Sequence, residues 1–132
     1  MPSVVRQAAA IPLRDGLVCM VTSRSRRRWV LPKGRIEVKQ SPAEAAAAEA
    51  WEEAGLLGRL SAGPVGTYGY EKWDAPHHVQ VFVLWVEKEQ KQWPERGQRD
   101  REWVTPEEAL ARIEEPDLRA MVAAVCGVPA GV

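Results

Sequence analysis

The sequence predicts a single α/β domain, a mixed β-sheet sandwiched by helices. Three observations carry this expectation. Capped, proline-initiated helix starts occur at Ser41-Pro42 and Thr105-Pro106, far apart in the chain. Residues 78–86, HVQVFVLWV, are β-branched and aromatic with little polar interruption, as a central strand covered on both faces requires. The order strands, helix, strands, helices lacks the regular alternation of repeated βαβ units. At 132 residues, the span 1–132 accommodates one domain whose core folds without metal or disulfide support.

Taken in order, residues 4–12 and 17–23 read as apolar strands joined by the turn-like Arg14-Asp15-Gly16. A polar loop from Ser23 to Arg28 leads to a short strand, Trp29-Val30-Leu31, which Pro32-Lys33-Gly34-Arg35 ends to begin a loop. The clearest element is a helix over 42–54. Ser41 is its N-cap, Pro42 its first residue, Glu44 completes a capping box and Gly55 is its stop. Four glycines break 56–70 into a strand with turns or bulges before the central strand. Residues 87–100 are polar, with turns at Pro94 and Gly97. A short edge-like strand at 101–104 and helices from Thr105-Pro106 and over 117–125 follow.

Acidic and basic residues number 18 each, which argues against bulk affinity for DNA but permits a local phosphate site. Nucleic acid is therefore not an expected partner; a phosphorylated small molecule is, with the chain acting as monomer or homodimer. Cys19 and Cys126 lie in apolar contexts with no metal-ligand spacing, and read as buried reduced thiols of a cytoplasmic protein. The N-terminal stretch lacks the apolar core of a secretory signal. No segment approaches 18 continuous apolar residues, so no membrane span is expected.

On a helical wheel, Glu49, Glu52 and Glu53 fall within about 60° of one another's mean direction, while Ala43, Ala47, Ala50 and Ala54 form a separate packing stripe. Three like charges on one face repel unless a cation lies among them. Oxygen-rich clusters of this kind suit Mg²⁺ or Mn²⁺, which also bridge to phosphates. Spacing alone favours an ordinary solvated acidic face.

The flanking residues narrow this choice. Gly34-Arg-Ile-Glu-Val-Lys-Gln40 followed by Glu49-Ala-Trp-Glu-Glu-Ala-Gly-Leu56 resembles the Nudix box, G-x5-E-x7-R-E-U-x-E-E-x-G-U with U a bulky aliphatic. The preceding WVLPKG, the strong later strand and the REWV segment at 101–104 extend the resemblance to the Nudix hydrolase superfamily along most of the chain. It implies an α/β/α sandwich and Mg²⁺-dependent attack of water on a pyrophosphate, with Mn²⁺ as an alternative cation. Glu49 and Glu53 are implied as metal ligands, Glu52 as ligand or general base, and the Lys33 carbonyl as a backbone ligand. Glu95, then Glu102 and Glu71, are candidates for a further carboxylate. Three positions depart from the pattern: Gln40 replaces the first glutamate, Ala48 the arginine, and Ala50 the aliphatic. The missing glutamate and arginine are a pair thought to brace loop against helix. Gln40 retains the ability to hydrogen-bond to backbone.

Arg24, Arg26, Arg27 and Arg28, with Lys33 and Arg35 flanking Gly34, make a basic group suited to gripping phosphates. His77 or His78 is a further phosphate contact, with His78 the choice. The layout resembles diphosphoinositol-polyphosphate and diadenosine-polyphosphate hydrolases, and Tyr68, Tyr70 and Trp73 offer aromatic surface for a nucleobase. Two other readings are a nonenzymatic phosphate-ligand module that lost the Gln40/Ala48 pair and an RNA pyrophosphohydrolase.

Overall fold

The structure is a computed structural model and describes residues 3–130. Its strands are β1 (Val5–Arg14), β2 (Leu17–Thr22), β3 (Trp29–Val30), β4 (Lys33–Arg35), β5 (Leu56–Leu60), β6 (Gly66–Lys72), β7 (Ala75–Glu89) and β8 (Arg101–Val104). Its helices are α1 (Pro42–Ala54), α2 (Pro106–Arg112) and α3 (Pro116–Cys126). The predicted mixed sheet is present: β1 and β7 run parallel at its centre, while every other pairing is antiparallel.

Alternation along the central strands builds two cores. Ala9, Ile11, Val79 and Val81 face α2 and α3, where Leu110, Leu118 and Val122 close over them. Ala8, Ala10, Phe82 and Leu84 face α1 and meet Ala45, Ala46, Ala50 and Ala54. Alanine opposes alanine here, so the helix backbone lies close to the sheet. The packing stripe differs from expectation, since Ala45 and Ala46 are buried while Ala43 is only half-buried. Ala47 is exposed, and Ala46 takes its place beside Ala50 and Ala54.

Local chemistry explains the boundaries. Asp15 and Gly16 both have positive φ (53° and 76°), the conformation of a tight primed hairpin turn between β1 and β2. Pro12 lies inside β1, yet falls between the residues that pair with β4 and those that pair with β2. Its missing N–H therefore interrupts neither ladder. The capping box of α1 forms as expected: the Glu44 amide donates to Ser41 Oγ at 3.0 Å, and the Ser41 amide to Glu44 Oε1 at 2.8 Å.

Three expectations need correction. Lys33–Arg35 is not loop but a strand, paired through Ala9↔Lys33 to Gln7↔Arg35. Three residues are too few for a period to show in sequence. The stretch after Gly55 is two strands, β5 and β6, and opposite the Leu57–Gly58 step β7 bulges by one residue, Glu87. A side chain on Gly58 would meet the Trp85 carbonyl at 2.0 Å, which is why the bulge needs glycine. Of the two cysteines, neither in a disulfide, Cys19 is buried but Cys126 is only half-buried. Among the described residues, no helix is long and apolar enough to cross a membrane.

Candidate active site

The last two turns of α1 and the short strand β4 define the site. Glu49 and Glu53 are one turn apart on the same side of the helix, close enough for each carboxyl to influence the other's titration. A Cβ on Gly34 would sit 2.2 Å from the Glu49 carboxyl carbon, so only glycine lets that carboxyl lie against β4. Next to it, the Lys33 amide donates to Glu53 Oε1 at 3.3 Å. Glu53 is 5 % exposed, an unusual position for a carboxylate. Glu52 is only half-buried, and among the described residues its side chain makes no hydrogen bond or ion pair.

The loop between β7 and β8 closes the end of the helix. Trp93 Nε1 donates to the Glu53 carbonyl at 3.0 Å, the Glu95 amide to the Glu52 carbonyl at 3.0 Å, and Arg101 Nη1 to the Ala54 carbonyl at 2.7 Å. These bonds satisfy carbonyls that a helix end leaves unpaired. They also bring Arg99 to the carboxylates: Nη2 lies 3.4 Å from Glu53 Oε2, and Nε donates to Glu95 Oε1 at 2.7 Å. Nη1 donates to the Thr22 carbonyl at 3.0 Å. Reading the sequence missed Arg99 and ranked Glu95 low, because a polar loop has no periodicity to mark an inward residue. The four-residue interval between them was the only signal.

The electrostatics are those of crowded, buried acids. Burial is the main cause that pushes Glu53 up to about 8; the neighbouring Glu49 adds to the rise, while Arg99 and the Lys33 amide oppose it. Glu49 is also raised, first by burial and then by the charges of Glu52 and Glu95. Two carboxyls held this close resist ionising together, and a cation beside them removes that resistance.

The donor set fits a hard divalent cation. Among the described residues no three His, Cys, Asp or Glu side chains converge on one point. Mg²⁺-type ions do not need three, since they commonly take one or two carboxylates and complete their shell with water and phosphate. The Glu49–Glu53 pair provides two adjoining oxygen ligands, at a place where negative charge exceeds positive.

Glu53 also lines a cleft of about 420 Å³, together with Arg24, Arg28, Lys33, Lys72, Arg99 and the rings of Trp29, Tyr68 and Trp73. Lys33 Nζ donates to Tyr70 Oη at 2.9 Å, and Tyr70 donates to Gln7 Oε1 at 2.6 Å. Arg28 reaches Glu115 at 3.2 Å across the cleft. Trp73 is 84 % exposed at the β6–β7 turn, where it and Asp74 have positive φ.

The other predicted residues are not brought to this cleft. Arg26 turns to the Gly97 carbonyl and Asp100, while Arg27 and Arg35 are exposed. His78 is exposed on the sheet face opposite the buried His77, whose ring stacks on Tyr70 with centroids 4.7 Å apart. Glu102 pairs with Arg112, and Glu71 is exposed on β6. Gln40 accepts from the Glu37 amide at 2.9 Å, bracing the loop within itself.

Comparison with known proteins agrees with this architecture. The NUDIX domain model matches residues 4–125. Nudix hydrolase 12, mitochondrial, of Arabidopsis thaliana is 38% identical over 101 residues, covering 70% of this chain and 50% of that protein. Diphosphoinositol polyphosphate phosphohydrolase 2 of Rattus norvegicus is 34% identical over 102 residues, covering 76% and 55% respectively. The chain thus spans about half the length of these relatives. Among solved structures, a NUDIX hydrolase from Nitrosomonas europaea superposes with a TM-score of 0.80 at 16% identity, covering 95% of this chain and 90% of that one. The C. elegans Ap4A hydrolase gives 0.74 at 17% identity, with coverage of 95% and 98%. These two establish likeness of fold. A match across nearly the whole chain and a Nudix-box sequence folded as strand end, loop and helix lead to one assignment: the chain belongs to the Nudix family, a membership that implies dependence on a divalent metal.

Proposed function

We propose that this chain hydrolyses a pyrophosphate bond in a polyphosphorylated small molecule, using Mg²⁺ or Mn²⁺. The observation that carries this reading is the buried Glu53, with the half-buried Glu49 beside it, at a cleft whose walls are cationic and aromatic. Glu49 and Glu53 would hold the cation, with Glu52 and the Lys33 carbonyl as further ligands on the family pattern. When bound, the cation neutralises phosphate oxygens and acidifies water. The chain's own residues do the rest. Lys33, held by Tyr70, and Arg24 and Lys72 present positive charge to phosphates, and Trp73 offers a ring face beside them. Glu52, whose side chain makes no hydrogen bond or ion pair among the described residues, is free to take a proton from water.

The name of the Rattus norvegicus relative supports an inositol pyrophosphate as substrate, and the sequence's resemblance to diadenosine-polyphosphate hydrolases puts a dinucleoside polyphosphate beside it. A second reading, a phosphate-binding module without turnover, draws on the ion pair that Arg99 makes with Glu53 inside the site. Incubation with Mg²⁺ or Mn²⁺ and a panel of dinucleoside polyphosphates, inositol pyrophosphates, nucleoside triphosphates and triphosphorylated RNA separates the two. Release of a phosphorylated product from a small molecule is the expected result. Ligand binding with no product under either metal favours the module.

A further inference from the structure

In the family pattern, an arginine at position 48 and a glutamate at position 40 brace the acidic helix, and this chain has neither. The last turn of α1 also carries no basic residue of its own. Yet Glu53 is buried, and a buried carboxylate left without a partner is costly. Among the described residues, Arg99 is the one cation at ion-pair distance from any of Glu49, Glu52 and Glu53. It is itself 8 % exposed, and it reaches three acceptors from three elements: Glu53 on α1, Glu95 on the β7–β8 loop and the Thr22 carbonyl at the end of β2.

We propose that Arg99 is a positioning residue for the cation site, supplying from the β7–β8 loop the brace that Gln40 and Ala48 do not. This rests on the hydrolase reading for its consequence, but concerns only how Glu53 is held. The planar guanidinium is suited to the task because it donates in several fixed directions at once, where a lysine ammonium is a point charge. Its charge does not fill the site. One guanidinium stands against the carboxylates of Glu49, Glu52, Glu53 and Glu95, so a negative excess remains for a divalent cation. Glu95, in turn, orients Arg99 while its own amide holds the Glu52 carbonyl.

The sign of a metal-affinity change tests this. Removing a positive charge beside a cation site should tighten the cation if Arg99 acts only through charge. Losing the orientation of Glu53 should weaken it. Mn²⁺ binding to the full chain without substrate is read from the electron paramagnetic resonance of free Mn²⁺. Arg99→Met is expected to raise the Kd by about tenfold or more, the usual scale for an outer-shell partner. Adding Gln40→Glu and Ala48→Arg to that variant should bring the Kd back to within about threefold of wild type, because the family brace is rebuilt. A Kd that falls or stays constant in Arg99→Met, or a failure of the rebuilt pair to rescue it, overturns the proposal.

Should Arg99→Met not fold, as circular dichroism would show, Arg99→Lys decides the matter. It keeps the charge but not the three-way reach, and is expected to weaken Mn²⁺ by about threefold or more. Wild-type affinity in that variant overturns the assignment. Wild-type protein that binds Mn²⁺ but hydrolyses nothing defeats the hydrolase reading and leaves the Kd test of Arg99 intact. Wild-type protein that does not bind Mn²⁺ overturns both.

Discussion

Two glutamates beside the C-terminal end of α1, Glu53 buried and Glu89 partly buried, are treated in opposite ways. Glu89, which pairs in register with Leu56, receives Arg14 at 2.6 Å, Arg101 at 3.2 Å and the Trp103 indole at 3.1 Å. Burial alone would raise its carboxyl, but these partners outweigh burial and hold it below the ordinary value. Glu53 shares a single arginine with Glu95 and lies against Glu49, and its carboxyl is pushed up to about 8, chiefly by burial. At Glu89 cations outnumber the carboxylate, and the charge ties β1, β7 and β8 together. At Glu53 carboxylates outnumber the cation, and the fold carries an imbalance that a ligand can relieve. Such uncompensated charge marks a functional position more reliably than burial does.

Replacing Glu53 is expected to have the largest effect. Glu53→Gln should lower kcat by about a thousandfold or more, since several kcal/mol of charge stabilisation go with the cation. The metal-free protein should nevertheless remain folded. Its pH profile gives a second readout. Folded Glu53 keeps its proton up to about 8, whereas its ordinary value is 4.5, so the folded state binds more protons between those limits. The contribution of this group therefore makes wild-type stability fall as pH rises through that window, when measured by urea unfolding in EDTA. The variant should lack that component, and an unchanged pH slope would break the contrast with Glu89.

Gly34→Ala should have a smaller effect on turnover. Its Cβ meets the end of a flexible side chain, so Glu49 can move aside at a stability cost within about 1 kcal/mol. The displaced carboxyl should lower kcat by about tenfold or more, because ligand placement has tolerances well under an ångström. Loss of stability with full activity would mean that Glu49 is structural, as Glu89 is.

Glu89→Gln reverses the pattern. It should cost about 1–2 kcal/mol of unfolding free energy, for charge-assisted bonds that are partly exposed, with kcat changing less than about threefold. Because the folded-state value is lowered, this stabilisation is present above the ordinary carboxylate value and disappears as pH falls through the lowered one. The variant's deficit should thus shrink in acid, and a deficit that persists there would show packing rather than charge.

The elements that sequence revealed are those whose signals are local. The box of Ser41 and Glu44, Pro42 at the helix start and Gly55 at its stop defined α1 to the residue. The apolar run at 78–86 identified the central strand, although β7 extends beyond it on both sides to Ala75 and Glu89. Glu49 and Glu53 came together because helical spacing determines their side. What was hidden depends on chain segments far apart. Arg99 is placed by Thr22 and by the end of α1; β4 exists only by pairing with β1; and Ala46 displaces Ala47 because the sheet selects which small residues it receives. The arginine group divided for the same reason, with Arg24 and Arg28 on the cleft and Arg26 drawn to Gly97 and Asp100.

The parallel pairing of β1 with β7 has a consequence in time. Partners such as Ala9 and Val81 are roughly 70 residues apart, a separation of the kind that slows folding through the loop that must close. At a synthesis rate of about 5–20 residues per second, β1 waits on the order of 4–15 seconds for its central neighbour to leave the ribosome. During that interval the run from Ala8 to Leu13 has only β2 and β4 to pair with, and its other edge is open. The nascent chain is therefore most exposed to misassembly before the residues of β7 emerge, and the sheet closes only after them.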